Sequence, residues 1–180
     1  MGSGRDFYSS FGFFQAINPD ICGEATTVTG NPIDLQNYGG CTFIITINSF
    51  ASAGDNGAGN TAWFVLQQGY SNATVITWSN VHNSQIIHDV YGGYDSTGTD
   101  GHFFNLNSKT SLLGSDNATA SATGGYGRII VGYKKAVGNN NSTFRWVRLY
   151  MSVSGAVSTM WIAAVAVCGA PNNWAVNSPV

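Results

Sequence analysis

The stretch Cys41-Thr42-Phe43-Ile44-Ile45-Thr46-Ile47-Asn48 decides the fold of this 180-residue chain. Its residues alternate with period two, so that Phe43, Ile45 and Ile47 share one face of an extended strand. Glycine and β-branched residues interrupt every candidate helical window, and no apolar stripe of period 3.6 continues for three turns. The predicted fold class is therefore all-β.

Further strands are predicted between clusters of Gly, Asn, Asp and Ser, at residues 63–67, 74–78, 102–106, 128–133, 144–153 and 159–167. A hairpin turn is expected at residues 69–72. The last three strands are expected to form a meander, with the middle one covered on both faces because both faces carry large residues. Short antiparallel strands at this spacing predict a β-sandwich of jelly-roll or immunoglobulin-like topology, two alternatives that the sequence does not separate.

The predicted domain organisation has three parts. Residues 1–23 form an aromatic-rich N-terminal arm, residues 24–169 form the antiparallel β-sandwich, and residues 170–180 form an extended C-terminal tail. Within the sandwich, residues 79–125 contain several glycines and one convincing strand, which predicts a loop-rich insertion that projects outward.

The N-terminal arm is predicted to bind a protein surface. Five aromatic residues lie within eight positions and follow the period of neither a strand nor a helix, which favours side chains held in pockets over a core strand. Those pockets belong either to a neighbouring subunit or to the chain's own sandwich. The predicted partner-binding residues of the whole chain are Phe7, Tyr8, Phe11, Phe13, Phe14, Lys134, Lys135 and Trp174.

Charge is scarce in this sequence. Asp, Glu, Lys and Arg make up 9% of the residues and leave a net charge of −2, so no basic field is present to bind nucleic acid. Hydrophobic residues reach 43% and aromatic residues 13%, which excludes a disordered chain. With little charge repulsion between copies, this composition favours a chain that packs against other protein, the alternative being a secreted or surface β-protein.

The protein is not expected to span a membrane. The longest apolar run, residues 160–168, is too short to span a bilayer, and no continuous apolar segment marks a secretory signal. The three cysteines, Cys22, Cys41 and Cys168, are odd in number and form no C-x-x-C motif. They are predicted to be buried, reduced thiols of a protein assembled in the cytoplasm.

No enzymatic motif is present, and neither a catalytic residue, a cofactor nor a metal is predicted. One cluster of histidines and aspartates contains the ligand types of a Zn²⁺ or Ca²⁺ site, although its spacing matches no strand or helix ligand pattern. It comprises His82, His88, Asp89, Asp95, Asp100 and His102.

A sugar-binding platform is the second chemical alternative. Aromatic faces cover the C–H surfaces of sugars while neighbouring amides bind the hydroxyls. The candidates are Trp63, Tyr70, Trp78, Tyr91 and Tyr94. Core packing of the two tryptophans explains them without a ligand, because both stand in apolar strands.

Basic residues cluster near the C-terminal third. Lys134 and Lys135 precede a loop and are expected to point to solvent or to an acidic partner surface. Arg145 and Arg148 fall on opposite faces of one strand, so at least one must meet a carboxylate or carbonyl, either within the fold or across an interface.

Two regions of the chain carry short recognisable motifs. Within residues 31–50, Ile33-Asp34-Leu35-Gln36-Asn37-Tyr38 precedes the strand from Cys41, which gives a V/I-D-L-Q-aromatic segment followed by a hydrophobic strand. This segment resembles the opening of small virion proteins of tailed bacteriophages, which are encoded in the head module beside the major capsid protein. Within residues 126–180, Gly132-Tyr133-Lys134-Lys135 and Phe144-Arg145-Trp146-Val147-Arg148-Leu149 resemble their G-Y-x-x-x-x-R-Y-V-R-V strand.

The chain's end is similar to their closing L-G-x-P-R-x-x-P-V segment, through Val165-Ala166-Val167-Cys168-Gly169-Ala170-Pro171 and Pro179-Val180. Three departures bear on the attachment partner. Residues 136–143 are inserted, Asn172 replaces a basic residue, and the aromatic arm is added.

The resemblance implies a capsid decoration (cement) protein that binds the major capsid protein lattice and stabilises the head. Together with the composition, it predicts self-association, as a trimer, and docking through the arms. The expected location is the capsid surface, after assembly in the host cytoplasm. The alternatives are a phage tail or adsorption component whose loops at 79–125 contact host glycans, and a carbohydrate-binding module.

Overall fold

The computed structural model describes residues 11–22, 26–36, 38–52, 61–72, 75–88, 101–107, 126–135, 144–154 and 157–169. These residues form eleven β-strands and one short 3₁₀ turn, and they include no α-helix. The strands are β1 (Gly12–Cys22), β2 (Thr27–Thr29), β3 (Ile33–Asp34), β4 (Gly40–Ser52), β5 (Thr61–Asn72), β6 (Val75–Asn80), β7 (Ile86–His88), β8 (His102–Asn107), β9 (Tyr126–Lys134), β10 (Trp146–Ser154) and β11 (Val157–Gly169). The all-β prediction is confirmed.

Two antiparallel sheets make up the sandwich. Sheet A has the strand order β1-β11-β4-β9-β7, and sheet B has the order β2-β10-β5-β6, with β3 beside β10 and β8 beside β5. Strands from the two halves of the chain therefore pair with each other: β1 with β11, β2 with β10, and β4 with β9. This nested pairing is the jelly-roll arrangement, so the fold has the first of the two topologies that the sequence left open.

The core lies between the inner faces of the two sheets. Phe43, Ile45 and Ile47 of β4 are fully buried, which confirms the face assigned from the period-two pattern. From sheet B they meet the inner residues of β5 and β10, which are Phe64, Leu66, Val147, Leu149, Met151 and Val153.

The predicted meander is wrong. Strands β9 and β11 lie in sheet A, whereas β10 lies between β2 and β5 in sheet B. The reason is that each of these two strands has one fully buried face, which contains Leu149 in β10 and Ile162 in β11. The two faces meet across the core, so the strands lie in opposite sheets and not side by side. The side chains on the outer face of β10 are only half-buried. Among the described residues, β10 is therefore covered on its inner face only, whereas cover on both faces was expected.

The predicted turn at residues 69–72 is also wrong. Strand β5 continues to Asn72 and β6 begins at Val75, with Gly69 paired to Trp78 inside the ladder. A glycine fits this position because a Cβ at Gly69 would lie 2.6 Å from the Ile76 side chain and 3.1 Å from the Trp78 ring. The glycine therefore makes room for an aromatic ring and does not form a turn.

Part of the N-terminal segment is a strand. The expectation that its aromatic run is not a strand is wrong for Gly12–Cys22, which pairs with β11 along the edge of sheet A. The pairing shifts register between Gln15 and Ile17 and again between Ile17 and Asp20. Such irregularities interrupt the period-two pattern and hide the strand from a sequence argument.

Candidate interaction surfaces

The outer face of sheet A is apolar and exposed. Residue Phe13 lies beside Val167 across β1 and β11, and Val165 lies beside Ile44 across β11 and β4. Five large side chains of this face are between 45% (Val165) and 60% (Ile87) exposed. We call this surface the apolar face, consisting of Phe13, Ile21, Ile87, Trp161 and Val165 with the partly buried Ile44, Ile130 and Val167 between them.

The size of the outer face of sheet A sets an upper bound on the apolar surface that it exposes. The four long strands of sheet A have nine or more residues each. At about 4.8 Å between strands and 3.4 Å per residue, they give roughly 600 Å² of sheet surface. This area includes the exposed polar residues Gln15, Thr42 and Thr46. The largest apolar patch of a monomeric protein is about 300–600 Å² and is often functional. The described charges on this face are Arg128 and Lys134, both exposed and located towards opposite ends of β9.

The structure places the N-terminal aromatic residues in different roles. Phe11 covers Gly169, where an added Cβ would lie 2.7 Å from its ring, and Phe14 makes an edge-to-face contact with Tyr38 at 6.1 Å between centroids. Both thus pack on the chain's own sandwich. Phe13 points outward from the apolar face. Phe7, Tyr8 and Trp174 lie outside the described residues.

The two predicted lysines also differ. Lys134 is exposed, as expected. Lys135 is not directed to solvent, because its Nζ donates a 2.9 Å hydrogen bond to the Leu35 carbonyl and the side chain is partly buried. Its desolvation lowers the pKa of the Lys135 ammonium, against the opposing effect of the Asp34 charge.

The outer face of sheet B carries aromatic residues around one arginine. The Arg148 guanidinium lies 4.0 Å from the ring centroid of Trp78, and its Nε donates to Gln67 at 2.9 Å. Trp63 and Trp78 are half-buried on this outer face, so the explanation that they pack in the core is wrong. The inner face of β5 is formed instead by the residues that alternate with Trp63, beginning with Phe64.

The surface around Trp78 is already occupied within the chain. Its ring lies against Gly69 and beneath the Arg148 guanidinium, which together cover surface that a sugar ring would need. Of the other predicted sugar-binding residues, Tyr70 is exposed and contacts Phe144, and Trp63 is half-buried. Tyr91 and Tyr94 lie outside the described residues.

Both predicted arginines find partners within the chain. Arg145 forms a bidentate pair with Asp34, with Nε donating at 2.8 Å to one carboxylate oxygen and the terminal nitrogen contacting the other. The hydrogen bond from Arg145 holds the pKa of Asp34 below its ordinary value, assisted by the Gln36 backbone N–H. This pair anchors β3 to the start of β10 and leaves less of Arg145 for a partner.

No group of three or more metal-ligating side chains occurs in the part of the chain that the structure describes. Of the six residues weighed as ligands, His82 is exposed, caps the 3₁₀ turn and contacts Ser84 Oγ at 2.8 Å. The side chains of the other five residues lie outside the described set. Likewise, no helix among the described residues is long and apolar enough to cross a membrane.

Comparisons with known proteins give a weak likeness. Neither a protein-family model nor a curated protein matches the sequence. A structure of the Gt strain of infectious bursal disease virus is similar over 91% of this chain and 42% of its own, at 13% identity and a TM-score of 0.28. The VP2 subviral particle of the same virus is similar over 94% of this chain and 44% of its own, at 15% identity and a TM-score of 0.23. This chain spans less than half the length of these proteins, and at such scores the likeness carries no argument about function.

Most of the apolar face was missed by the sequence analysis, which had named Phe13 alone among its large residues. The signal was present in β11, where Trp161 and Val165 alternate with the fully buried Met160 and Ala164. The small residues Ala164 and Ala166 face the core beside Ile162, while Trp161 and Val165 face outward.

Proposed function

We propose that this chain is a structural protein of a virus particle, and more specifically a capsid decoration protein of a tailed bacteriophage. The observation that carries the proposal is the apolar face, on which five large apolar side chains are 45% to 60% exposed in the isolated chain. The motif resemblance within residues 31–50 and 126–180 supports a phage head protein. The jelly roll is compatible with this role, since viral capsid domains use it, but the same fold also serves lectins.

A second copy of this chain is the proposed occupant of the apolar face. A standard interface buries about 800 Å² on each partner, so the outer face of sheet A supplies most of the surface that a stable pair of subunits needs. Its centre, around Val165 and Ile44, is free of charged side chains among the described residues, so that a second copy can cover it without burying a charge of this face. Arg128 and Lys134 stand towards its ends, where interface rims are polar.

The sequence-based prediction of a trimer is part of this proposal. Three copies require a heterologous contact, in which the apolar face of one subunit meets a different surface of the next. Two copies would instead pair the face with itself. The major capsid protein is the proposed lattice partner, and several weak contacts from one oligomer would add up to firm attachment.

The location of the protein is tested by counting its copies in purified virus particles by quantitative mass spectrometry. A number comparable to that of the major capsid protein is expected for decoration. A number small enough for a single tail would contradict decoration and favour the tail or adsorption alternative. Absence from the particle would overturn the virion proposal as a whole.

A carbohydrate-binding module is the second candidate function. The observation that favours it is the half-buried Trp63 on the outer face of sheet B. Binding of the purified chain to a glycan array, lost in Trp63→Ala and kept in Phe13→Ala, would support this alternative. No binding, or binding that is unchanged in Trp63→Ala, would exclude sheet B as a carbohydrate-binding surface.

A further inference from the structure

We propose that Cys41 and Cys168 form a latent disulfide site, which an external oxidant converts into a covalent bond between β4 and β11. The two residues are direct cross-strand partners in the antiparallel ladder of sheet A. Directly opposed residues in such a ladder have Cα atoms about 4.5–5.5 Å apart, within the range that a disulfide spans. Both side chains are buried on the inner face, so they point to the same side of the sheet.

The two thiols are close enough to influence each other. The pKa of Cys41 is raised well above its ordinary value, first by burial and then by its interaction with Cys168. Both cysteines are free thiols in the structure, and both are buried, as the sequence predicted. Since the thiolate is the attacking species, we expect the pair to oxidise slowly at neutral pH.

The third cysteine does not take part. Cys22 is opposite Met160, eight residues along β11 from Cys168 and so about 27 Å away at 3.4 Å per residue. Burial, with the nearby Asp20 charge, raises the pKa of Cys22 to about 11. It is therefore a matched internal control, being buried and free in the same sheet but without a thiol opposite.

The position of the pair gives an oxidant a route to it. Cys41 and Cys168 lie one residue from the end of the sheet, where β4 begins at Gly40 and β11 ends at Gly169. Opening of the last residues of a ladder is the least costly local unfolding, so access to the thiols does not require the whole domain to unfold.

The chemistry balances with a small-molecule disulfide as oxidant. One thiolate attacks oxidised glutathione and releases one glutathione thiolate, and the second cysteine then displaces the other. Two protons and two electrons leave the protein, one S–S bond forms, and one glutathione S–S bond is broken. A chain made in a reducing compartment would keep both thiols and acquire the bond after release into an oxidising medium.

The test uses the purified full chain, incubated with oxidised glutathione and then mapped by mass spectrometry without reduction. We expect the mass to fall by two hydrogens and a peptide linking Cys41 to Cys168 to appear. That product should persist in Cys22→Ala and vanish in Cys41→Ala and in Cys168→Ala. The oxidised wild type should unfold at a higher urea concentration than the reduced form, and a thiol reductant should reverse the shift, because the bond closes a loop over most of the chain.

Three results would overturn the proposal. These are linked peptides that contain Cys22, glutathione adducts on Cys41 or Cys168 without a protein disulfide, and no oxidation even in urea just below the unfolding transition. The alanine variants need not be as stable as wild type for the test, because the linkage in wild type and in Cys22→Ala decides it. This outcome is independent of where the protein resides in a particle.

Discussion

Tyr133 and Gln68 join the two sheets through the interior of the sandwich. The Tyr133 hydroxyl on β9 donates a hydrogen bond of 3.1 Å to Gln68 Oε1 on β5, and both side chains are buried. A buried amide without its donor would keep the cost of desolvation while losing its compensation. This contact thus fixes how sheet A sits over sheet B in a core that is otherwise apolar.

We predict that Tyr133→Phe lowers the free energy of unfolding by about 1–3 kcal/mol, because Gln68 Oε1 loses a buried donor. Gln68→Leu should also lower the free energy of unfolding, because the Tyr133 hydroxyl then loses Gln68 as an acceptor. The double variant should lose less than the sum of the two, since replacing both partners by apolar groups removes the unmet hydrogen bond. Urea unfolding of the three variants measures this, and strict additivity would show that the bond is not formed in solution.

The pair of Asp34 and Arg145 predicts a loss of stability in acid. The pKa of Asp34 is held below its ordinary value of 3.8, first by the hydrogen bond from Arg145. The folded state thus binds fewer protons than the unfolded state, so this contribution is present above 3.8 and is lost as the pH falls through the folded-state pKa. Asp34→Asn should flatten the acid limb of the urea midpoint plotted against pH.

Arg145→Gln supplies the control for this titration. Because it removes the donor and leaves the carboxylate, it should produce the same flattening, and the double variant should add little to either single one. Both residues are partly exposed, so the effect should shrink in high salt. An acid limb unchanged in both variants would show that the pair does not set it.

Gly30 is predicted to tolerate no side chain. Its N–H donates to the Leu149 carbonyl at 2.8 Å, and a Cβ would lie 2.6 Å from the Ala16 carbonyl oxygen and 2.9 Å from that of Leu149. These are backbone atoms of β1 and β10, one from each sheet, so neither moves without disturbing a sheet. We expect Gly30→Ala to cost about 1–3 kcal/mol by overpacking.

The neighbouring exposed residue Thr29 gives the control for Gly30. Thr29→Ala should change the free energy of unfolding by less than about 0.5 kcal/mol, as is usual for exposed positions. Equal effects of the two substitutions in urea unfolding would contradict the close approach at Gly30.

The sequence predicted seven of the eleven described strands, missing β1, β2, β3 and β7, and it did not predict which sheet each one joins. The period-two pattern of β4 identified Phe43, Ile45 and Ile47 as core residues, because burial on one face leaves that pattern in the sequence. Pairing partners such as β1 and β11 are far apart along the chain, and no local pattern records them. The meander was therefore expected from adjacency alone, and it was wrong.

The candidate surface was harder to predict than the core, for a related reason. An exposed Val165 and a buried Ala164 invert the usual relation between side-chain size and burial, so residue type alone does not assign the faces of β11. Phe13 was named for its aromatic neighbours, although Phe11 and Phe14 proved to pack within the chain. Only the register of β1 against β11 brings Phe13 onto the same surface as Val167.

The proposal that a second copy covers the apolar face is tested most directly by the mass of the purified chain in solution. Sedimentation or light scattering measures this mass for wild type and two aspartate variants. Val165→Asp places a charge at the centre of the apolar face, whereas Val75→Asp places one on β6 in sheet B at a residue that is 65% exposed. We expect wild type and Val75→Asp to be oligomers and Val165→Asp to be a folded monomer. A monomeric wild type, or an oligomer that survives Val165→Asp, would contradict the claim that a second copy covers this face.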